Sequence, residues 1–215
     1  EPIGVCGVIT PWNGPSTIPL SIIPALACGN SVVLKPAEQT PLAALLVCRL
    51  CLEAGIPPGV VNLVQGFGHT AGNALVEHPG VHAISFTGSV ETGKKIQTRA
   101  AATLKRVTLE LGGKSPLIVL QDADLDLAVS AAPFGAFFHQ GQICMACTRI
   151  LVEAPLADSL GSQLVEKVKT LKMGDPRDLH THIGPITSPI QLAKIEAHVE
   201  DAVAKGAKVL VGGRS

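Results

Sequence analysis

Short apolar runs alternate along the chain with stretches in which apolar side chains recur every three or four residues, the signatures of buried strands and helices. Val5-Cys6-Gly7-Val8-Ile9 predicts a strand, residues 16–28 a helix, Ser31-Val32-Val33-Leu34 a strand, residues 41–54 a helix, and Val60-Val61-Asn62-Leu63-Val64 a strand. Helices follow over about 70–77 and 91–102, with strands at Ala83-Ile84-Ser85-Phe86 and over 106–111. Strands this apolar, separated by helices, predict a parallel α/β sheet, because parallel strands need crossover connections and are covered on both faces. After Gly112-Gly113 the rhythm restarts with strand Leu117-Ile118-Val119-Leu120, a helix from Asp124 to about 138 and strand Arg149-Ile150-Leu151-Val152. Helices over 156–171 and 189–205 and a last strand over 208–211 complete the pattern, so two domains are expected, 1–111 and 112–215.

The stretch from Pro2 to Leu34 carries no charged side chain and could pass for a membrane span. Pro11, Pro15, Pro19 and Pro24 break it into strand, loop and short helix, so it is expected to be core, with no membrane partner. The chain of 215 residues is 47% hydrophobic and 16% charged, too apolar for a disordered tail. Seventeen basic residues balance 17 acidic ones, which disfavours nucleic acid as a partner. With no initiator Met and no targeting pattern it reads as an internal fragment.

Six cysteines include two C-x-x-C pairs, Cys48/Cys51 and Cys144/Cys147. The first lies in an apolar helical run without the turns of a zinc knuckle, and the seven histidines form no ligand set, so no metal is expected. Free thiols in a neutral chain fit a reducing, cytoplasmic compartment.

Several turns carry candidate chemistry. Gly66-Phe67-Gly68-His69-Thr70-Ala71-Gly72 and Phe86-Thr87-Gly88-Ser89 each end a strand and open a helix, where backbone amides can approach a dinucleotide. Lys35-Pro36-Ala37-Glu38 ends another strand on the same edge, and Glu38 could accept hydrogen bonds from ribose hydroxyls. Cys144, after Gly141-Gln142-Ile143, sits in a loop where a thiol could face a cleft. Glu110 ends an apolar strand, where a carboxylate is expected to be buried and therefore employed. Asn13, beside the single Trp12, could donate to an oxyanion.

Five segments in this order resemble the aldehyde dehydrogenase superfamily, specifically its NAD-dependent branch: Pro11-Trp12-Asn13, Lys35 to Pro41, Phe86 to Ser89, Leu109 to Pro116, and Gly141 to Cys144. The resemblance spans essentially the whole chain. It implies a Rossmann-like parallel-sheet NAD-binding domain followed by the start of an α/β catalytic domain. It also implies oxidation of a small-molecule aldehyde to a carboxylic acid through a cysteine thiohemiacetal and thioester. Cys144 would then be the nucleophile, Glu110 the general base, and Asn13 with the Cys144 backbone N–H the oxyanion hole. Lys35 and Glu38 would hold the adenosine ribose, Gly68 and Gly72 the adenine region, Ser89 the pyrophosphate, and Leu111 and Gly112 the nicotinamide side. Ile9, Thr10, Pro11, Trp12, Phe86, Thr87 and Gly88 complete the implied cofactor set, with NAD favoured over NADP. The parent protein would be a homodimer or homotetramer.

The chain departs from the family pattern at His139, where Asn is frequent, at Ile143 and Met145 beside the nucleophile, and at Cys147-Thr148-Arg149. The later Glu-x-Phe-Gly-Pro element is absent. A non-catalytic nucleotide-binding homologue and a CoA-acylating dehydrogenase stand as alternatives. The joint presence of Cys144, Asn13 and Glu110 weighs against the first, and Glu110 weighs against the second.

Overall fold

The computed structural model describes residues 1–214, which form two compact units, one over 1–112 and one from 113 onward. The first unit contains strands β1 (Val5–Ile9), β2 (Ser31–Lys35), β3 (Val61–Leu63), β4 (Ala83–Gly88) and β5 (Arg106–Leu111). Between them run helices α1 (Ile18–Ala27), α2 (Pro41–Glu53), α3 (Asn73–Glu77) and α4 (Val90–Ala100). All five strands are parallel, in the order β3-β2-β1-β4-β5.

Alternation along β1 explains the layers. Val8 packs with Ile18 and Ile22 of α1, Val32 and Leu34 of β2 and Ala44 of α2, while its neighbour Ile9 packs with Val76, Ile84, Phe86, Ile96 and Ala100. Successive side chains on a strand point to opposite faces, so α1 and α2 cover one face and α3 and α4 the other. The uncharged stretch Pro2 to Leu34 is therefore β1, α1 and β2, with Val8, Ile18, Ile22, Val32 and Leu34 all buried. Pro41 opens α2 at its first turn, where a missing N–H costs nothing, and Ser89 caps α4 by accepting from the Thr92 N–H. Cys48 and Cys51 lie half-buried against the α1/α2 cluster, and burial pushes the Cys48 thiol above its usual range.

The second unit contains β6 (Ser115–Val119) and β7 (Cys147–Val152), paired in parallel, with α5 (Leu125–Phe137), α6 (Ala154–Lys169) and α7 (Pro189–Ala204). Val119, Ala128 and Leu160 form its buried core. Asp124 caps α5 and Ser188 caps α7, each accepting from a backbone N–H three residues on. Residues 208–211, expected as a strand, are not one: Val209 and Leu210 are exposed at 49% and 63%. A strand exists only through its neighbour, and no described strand pairs with this segment. Among the described residues no helix is long and apolar enough to cross a membrane.

Leu34, fully buried in the centre of the α1/α2 face, is the position where truncation should cost most. Leu34→Ala is expected to destabilise the first unit by about 2–5 kcal/mol, read as faster hydrogen exchange at the β1 and β2 amides, whereas unchanged protection would contradict this packing.

Candidate active site

In an open parallel sheet, ligands settle at the carboxyl ends of the strands, where the direction of winding reverses. Here that point lies between β1 and β4, where Ile9 pairs with Phe86. Thr10 follows β1, and its N–H donates to the Lys35 carbonyl at 3.1 Å. The residue is 4% exposed, and its hydroxyl has no hydrogen-bond partner, unlike every other buried side-chain N or O among the described residues. Pro11, Trp12 and Asn13 continue the loop, each half-buried.

At the end of β2 the Lys35 side chain is almost wholly buried; its Nζ donates to the Pro36 carbonyl at 2.8 Å and lies 3.6 Å from a Glu38 carboxylate oxygen. Burial pulls the Lys35 ammonium below its usual range, and the Glu38 charge opposes that. Glu38 itself is exposed. Beyond β3, Gly68 and Gly72 begin and end a single wide helical turn that runs into α3. Gly72 is buried, and a Cβ there would stand 3.9 Å from the Lys35 stem, while a Cβ at Gly68 would meet nothing within 4 Å.

At the end of β4, a Cβ on Gly88 would lie 2.4 Å from the buried Phe86 ring, so no other residue fits without moving it. Ser89 then caps α4, whose first amides face the same edge. Thr87 pairs with Glu110 and Gly88 with Leu111, which brings the end of β5 and Gly112 alongside. The first unit thus gathers Ile9 to Asn13, Lys35, Glu38, Gly68, Gly72, Phe86 to Ser89 and Glu110 to Gly112 on one sheet edge.

Glu110 departs from expectation, because it is exposed. β5 is the last strand of the sheet; Val107, Leu109 and Leu111 pack toward α4, and the alternate positions Arg106, Thr108 and Glu110 face outward. Desolvation therefore supplies no argument for its employment in this structure.

In the second unit, α5 is followed, after Phe138, by a run of three left-handed residues, His139 (φ 54°), Gln140 (φ 57°) and Gly141 (φ 69°). Consecutive left-handed conformations are costly for residues with a Cβ and concentrate at functional segments. A Cβ on Gly141 would also come within 2.9 Å of the Ala136 carbonyl. The chain then makes a turn closed by the Ala146 N–H on the Ile143 carbonyl at 3.1 Å, and Cys144 stands exposed in that turn. Gln142 is tied down by accepting from the Thr187 N–H at 3.0 Å. Cys147 opens β7 and donates to the Arg149 carbonyl at 3.3 Å. The unpartnered Thr10 hydroxyl and the left-handed pair His139-Gln140 carry no warning in the sequence, since neither residue type marks such a state by itself. Among the described residues no group of three or more His, Cys, Asp or Glu side chains could hold a metal.

Residues 1–215 match the model of the aldehyde dehydrogenase family along their whole length. The chain belongs to the aldehyde dehydrogenase family. It is 52% identical to human retinaldehyde dehydrogenase 3 over 99% of its own length and 42% of that protein. It is 53% identical to mouse aldehyde dehydrogenase, cytosolic 1, over 99% of itself and 43% of that relative. The structure of Staphylococcus aureus betaine aldehyde dehydrogenase in complex with NAD+ superposes with a TM-score of 0.97 at 44% identity, covering all of this chain and 43% of that one. The chain thus spans less than half the length of these relatives.

His139 sits in the left-handed region, which Asn tolerates well. His shares that tolerance in part. Gly141 has no such substitute: Gly141→Ala combines a left-handed φ with a backbone clash. It should destabilise the Cys144 segment by about 1–3 kcal/mol, seen as faster alkylation of Cys147 and faster exchange of the β7 amides. Wild-type rates in the variant would show that the left-handed run does not hold the segment.

Proposed function

We propose that the protein oxidises an aldehyde to a carboxylic acid with NAD, using Cys144 as nucleophile. The observation that carries this reading is the exposed Cys144 thiol, in the family's Gly-Gln-x-Cys position, on a turn anchored from both sides. A nucleophilic thiol needs that access, and an inert structural cysteine does not.

The sheet edge of the first unit offers what a nicotinamide dinucleotide requires. Bare backbone at Gly68 and Gly112 leaves room for close approach, the α4 N-terminus offers amides to a pyrophosphate, and the Thr10 hydroxyl is left to be satisfied. Lys35 and Glu38 hold the adenosine ribose, with Gly68 and Gly72 beside the adenine. Ser89 meets the pyrophosphate, while Leu111 and Gly112 lie on the nicotinamide side. The remaining contacts fall to Ile9, Thr10, Pro11, Trp12, Phe86, Thr87 and Gly88. The exposed carboxylate of Glu38 favours a ribose diol and repels a 2′-phosphate, so NAD is preferred over NADP.

When bound, the nicotinamide supplies the hydride acceptor. The Cys144 thiolate adds to the aldehyde carbon, and the oxygen that gains charge is held by the Asn13 amide and the Cys144 backbone N–H, a contact worth about 3 kcal/mol per donor. Once the substrate carbon is at the acyl level, Glu110 takes a proton from water, and the hydroxide so formed cleaves the thioester, releasing acid and free thiol. Exposure leaves the Glu110 carboxylate open to water, which a base for hydrolysis requires. Met145, 72% exposed, and Phe138, 52% exposed, flank the Cys144 segment in sequence together with Ile143, which favours an apolar aldehyde. Relatives at this level of identity include proteins named for retinaldehyde, an apolar aldehyde, and one named as cytosolic, which supports a cytoplasmic enzyme.

Two variants of the complete protein test the reading. Cys144→Ser should lose turnover while binding NAD+ as before, because a neutral hydroxyl is a far weaker nucleophile than a thiolate. Glu110→Gln should release one equivalent of NADH in a burst and then stall before hydrolysis, since an amide cannot accept the proton. Full turnover in Cys144→Ser would remove the nucleophile, and a folded Glu110→Gln without a burst would remove the base.

A further inference from the structure

β1 and β2 are parallel neighbours joined by α1, so α1 must run back from the carboxyl end of the sheet to its amino end. Its last turn therefore comes down over the start of β1. Asn30, buried at 4% exposure, clamps the two together: its side-chain carbonyl accepts from the Gly4 N–H at 2.9 Å, and its amide donates to the Ala25 carbonyl at 3.0 Å. Ser31 pairs with Val5, and the Ser31 N–H donates to the Gly4 carbonyl at 3.1 Å. Cys28 caps the end of α1, its N–H donating to the Pro24 carbonyl, and is exposed.

Cys6 is the second residue of β1 and shares a face with Val8, which packs on Ile18 and Ile22 of α1. Gly7 between them faces the other way, since a Cβ there would meet Leu75 and Ile84. Cys6 therefore faces the α1 layer at the end of the strand where α1 finishes, and it is buried. Burial pushes the Cys6 thiol above its usual range, and the neighbouring Cys28 thiol adds to the rise. A shielded thiol and an accessible one, separated in sequence by the whole of α1, thus share one corner of the first unit. We propose that Cys6 and Cys28 form a redox-reversible pair, closed to a disulfide by oxidised glutathione or a similar small disulfide and reopened by thiols. The Cys28 thiolate attacks one sulfur of oxidised glutathione and releases the first glutathione thiol. The Cys6 thiolate then attacks the Cys28 sulfur of that mixed disulfide and releases the second. The two protein thiols lose two electrons and two protons, which leave on the two glutathione thiols. Access sets the order, because only Cys28 meets solvent. In a reducing compartment such a bond is a transient sensing device. It ties α1 to β1 at the amino end of the sheet, away from the carboxyl edge assigned to NAD, and does not depend on that assignment.

Treating the complete protein with oxidised glutathione, blocking free thiols and digesting without reductant tests this. Chymotrypsin cuts at Trp12, between the two cysteines, so a Cys6–Cys28 bond appears as two joined peptides, lighter than their sum by a pair of hydrogen atoms. The joined peptides should form in the wild type and separate again on adding dithiothreitol. Cys6→Ser should instead keep glutathione on Cys28, and Cys28→Ser should leave Cys6 unmodified. In the oxidised wild type the amides at the end of α1 and the start of β1 should exchange about tenfold more slowly, or slower still, than in the reduced protein. Glutathione held on wild-type Cys28 with no link to Cys6, a link from Cys28 to Cys48, or an unmodified Cys28 would each overturn the pair. A Cys6–Cys28 link that dithiothreitol does not open, or that leaves amide exchange at the reduced rate, would overturn its role as a reversible tie.

Discussion

Parallel pairing of β1 with β2 on one side and β4 on the other is the constraint on which the rest of the first unit depends. Because β1 is central, its side chains must be apolar on both faces, which is why Val8 and Ile9 belong to two different clusters. Because winding reverses beside it, the loops after β1 and β4 separate and leave a crevice at the carboxyl edge. The local features of that edge follow. Gly88 is forced by the Phe86 ring behind it, Lys35 is buried because its stem crosses toward Gly72, and Ser89 must open α4 directly after β4.

Much of this was legible in the sequence because the signals are local. The apolar runs of β1 and β2, Pro41 at the head of α2, Ser89 before α4 and the glycine-bearing turns act within a few residues, and each lies where its chemistry predicts. The Cys48/Cys51 pair was likewise readable as core from its helical surroundings. What failed was non-local. Whether Glu110 is buried depends on β5 being the last strand of the sheet, and no pattern within β5 distinguishes an edge strand from a central one. The apolar segment 208–211 has the composition of a strand but no described neighbour to pair with, and pairing defines a strand. The left-handed state of His139 and Gln140 is imposed by the geometry that ends α5 and starts the Cys144 turn, and neither residue announces it.

Among the described residues, the left-handed non-glycine residues of the second unit, His139 and Gln140, lie together. From α5 to β7 the chain passes through three left-handed residues and a hydrogen-bonded turn before regular pairing resumes at Cys147. Backbone of this kind persists only when its surroundings hold it, here through the Gln142 N–H on the His139 carbonyl and the Thr187 N–H on the Gln142 side chain. The result is a thiol presented on a short, fixed segment, where a reactive side chain benefits from a rigid support.

The account stands or falls on a covalent bond between substrate carbon and one particular sulfur. The direct measurement is to mix the complete protein with NAD+ and an apolar aldehyde, quench in acid within the first turnover, and map the adduct by mass spectrometry. Cys144 and Cys147 share one tryptic peptide, ending at Arg149, so fragmentation must locate the added mass. An acyl group on Cys144 alone is the predicted result; an adduct on Cys147, or NADH formed with no acylated cysteine at any quench time, would contradict it.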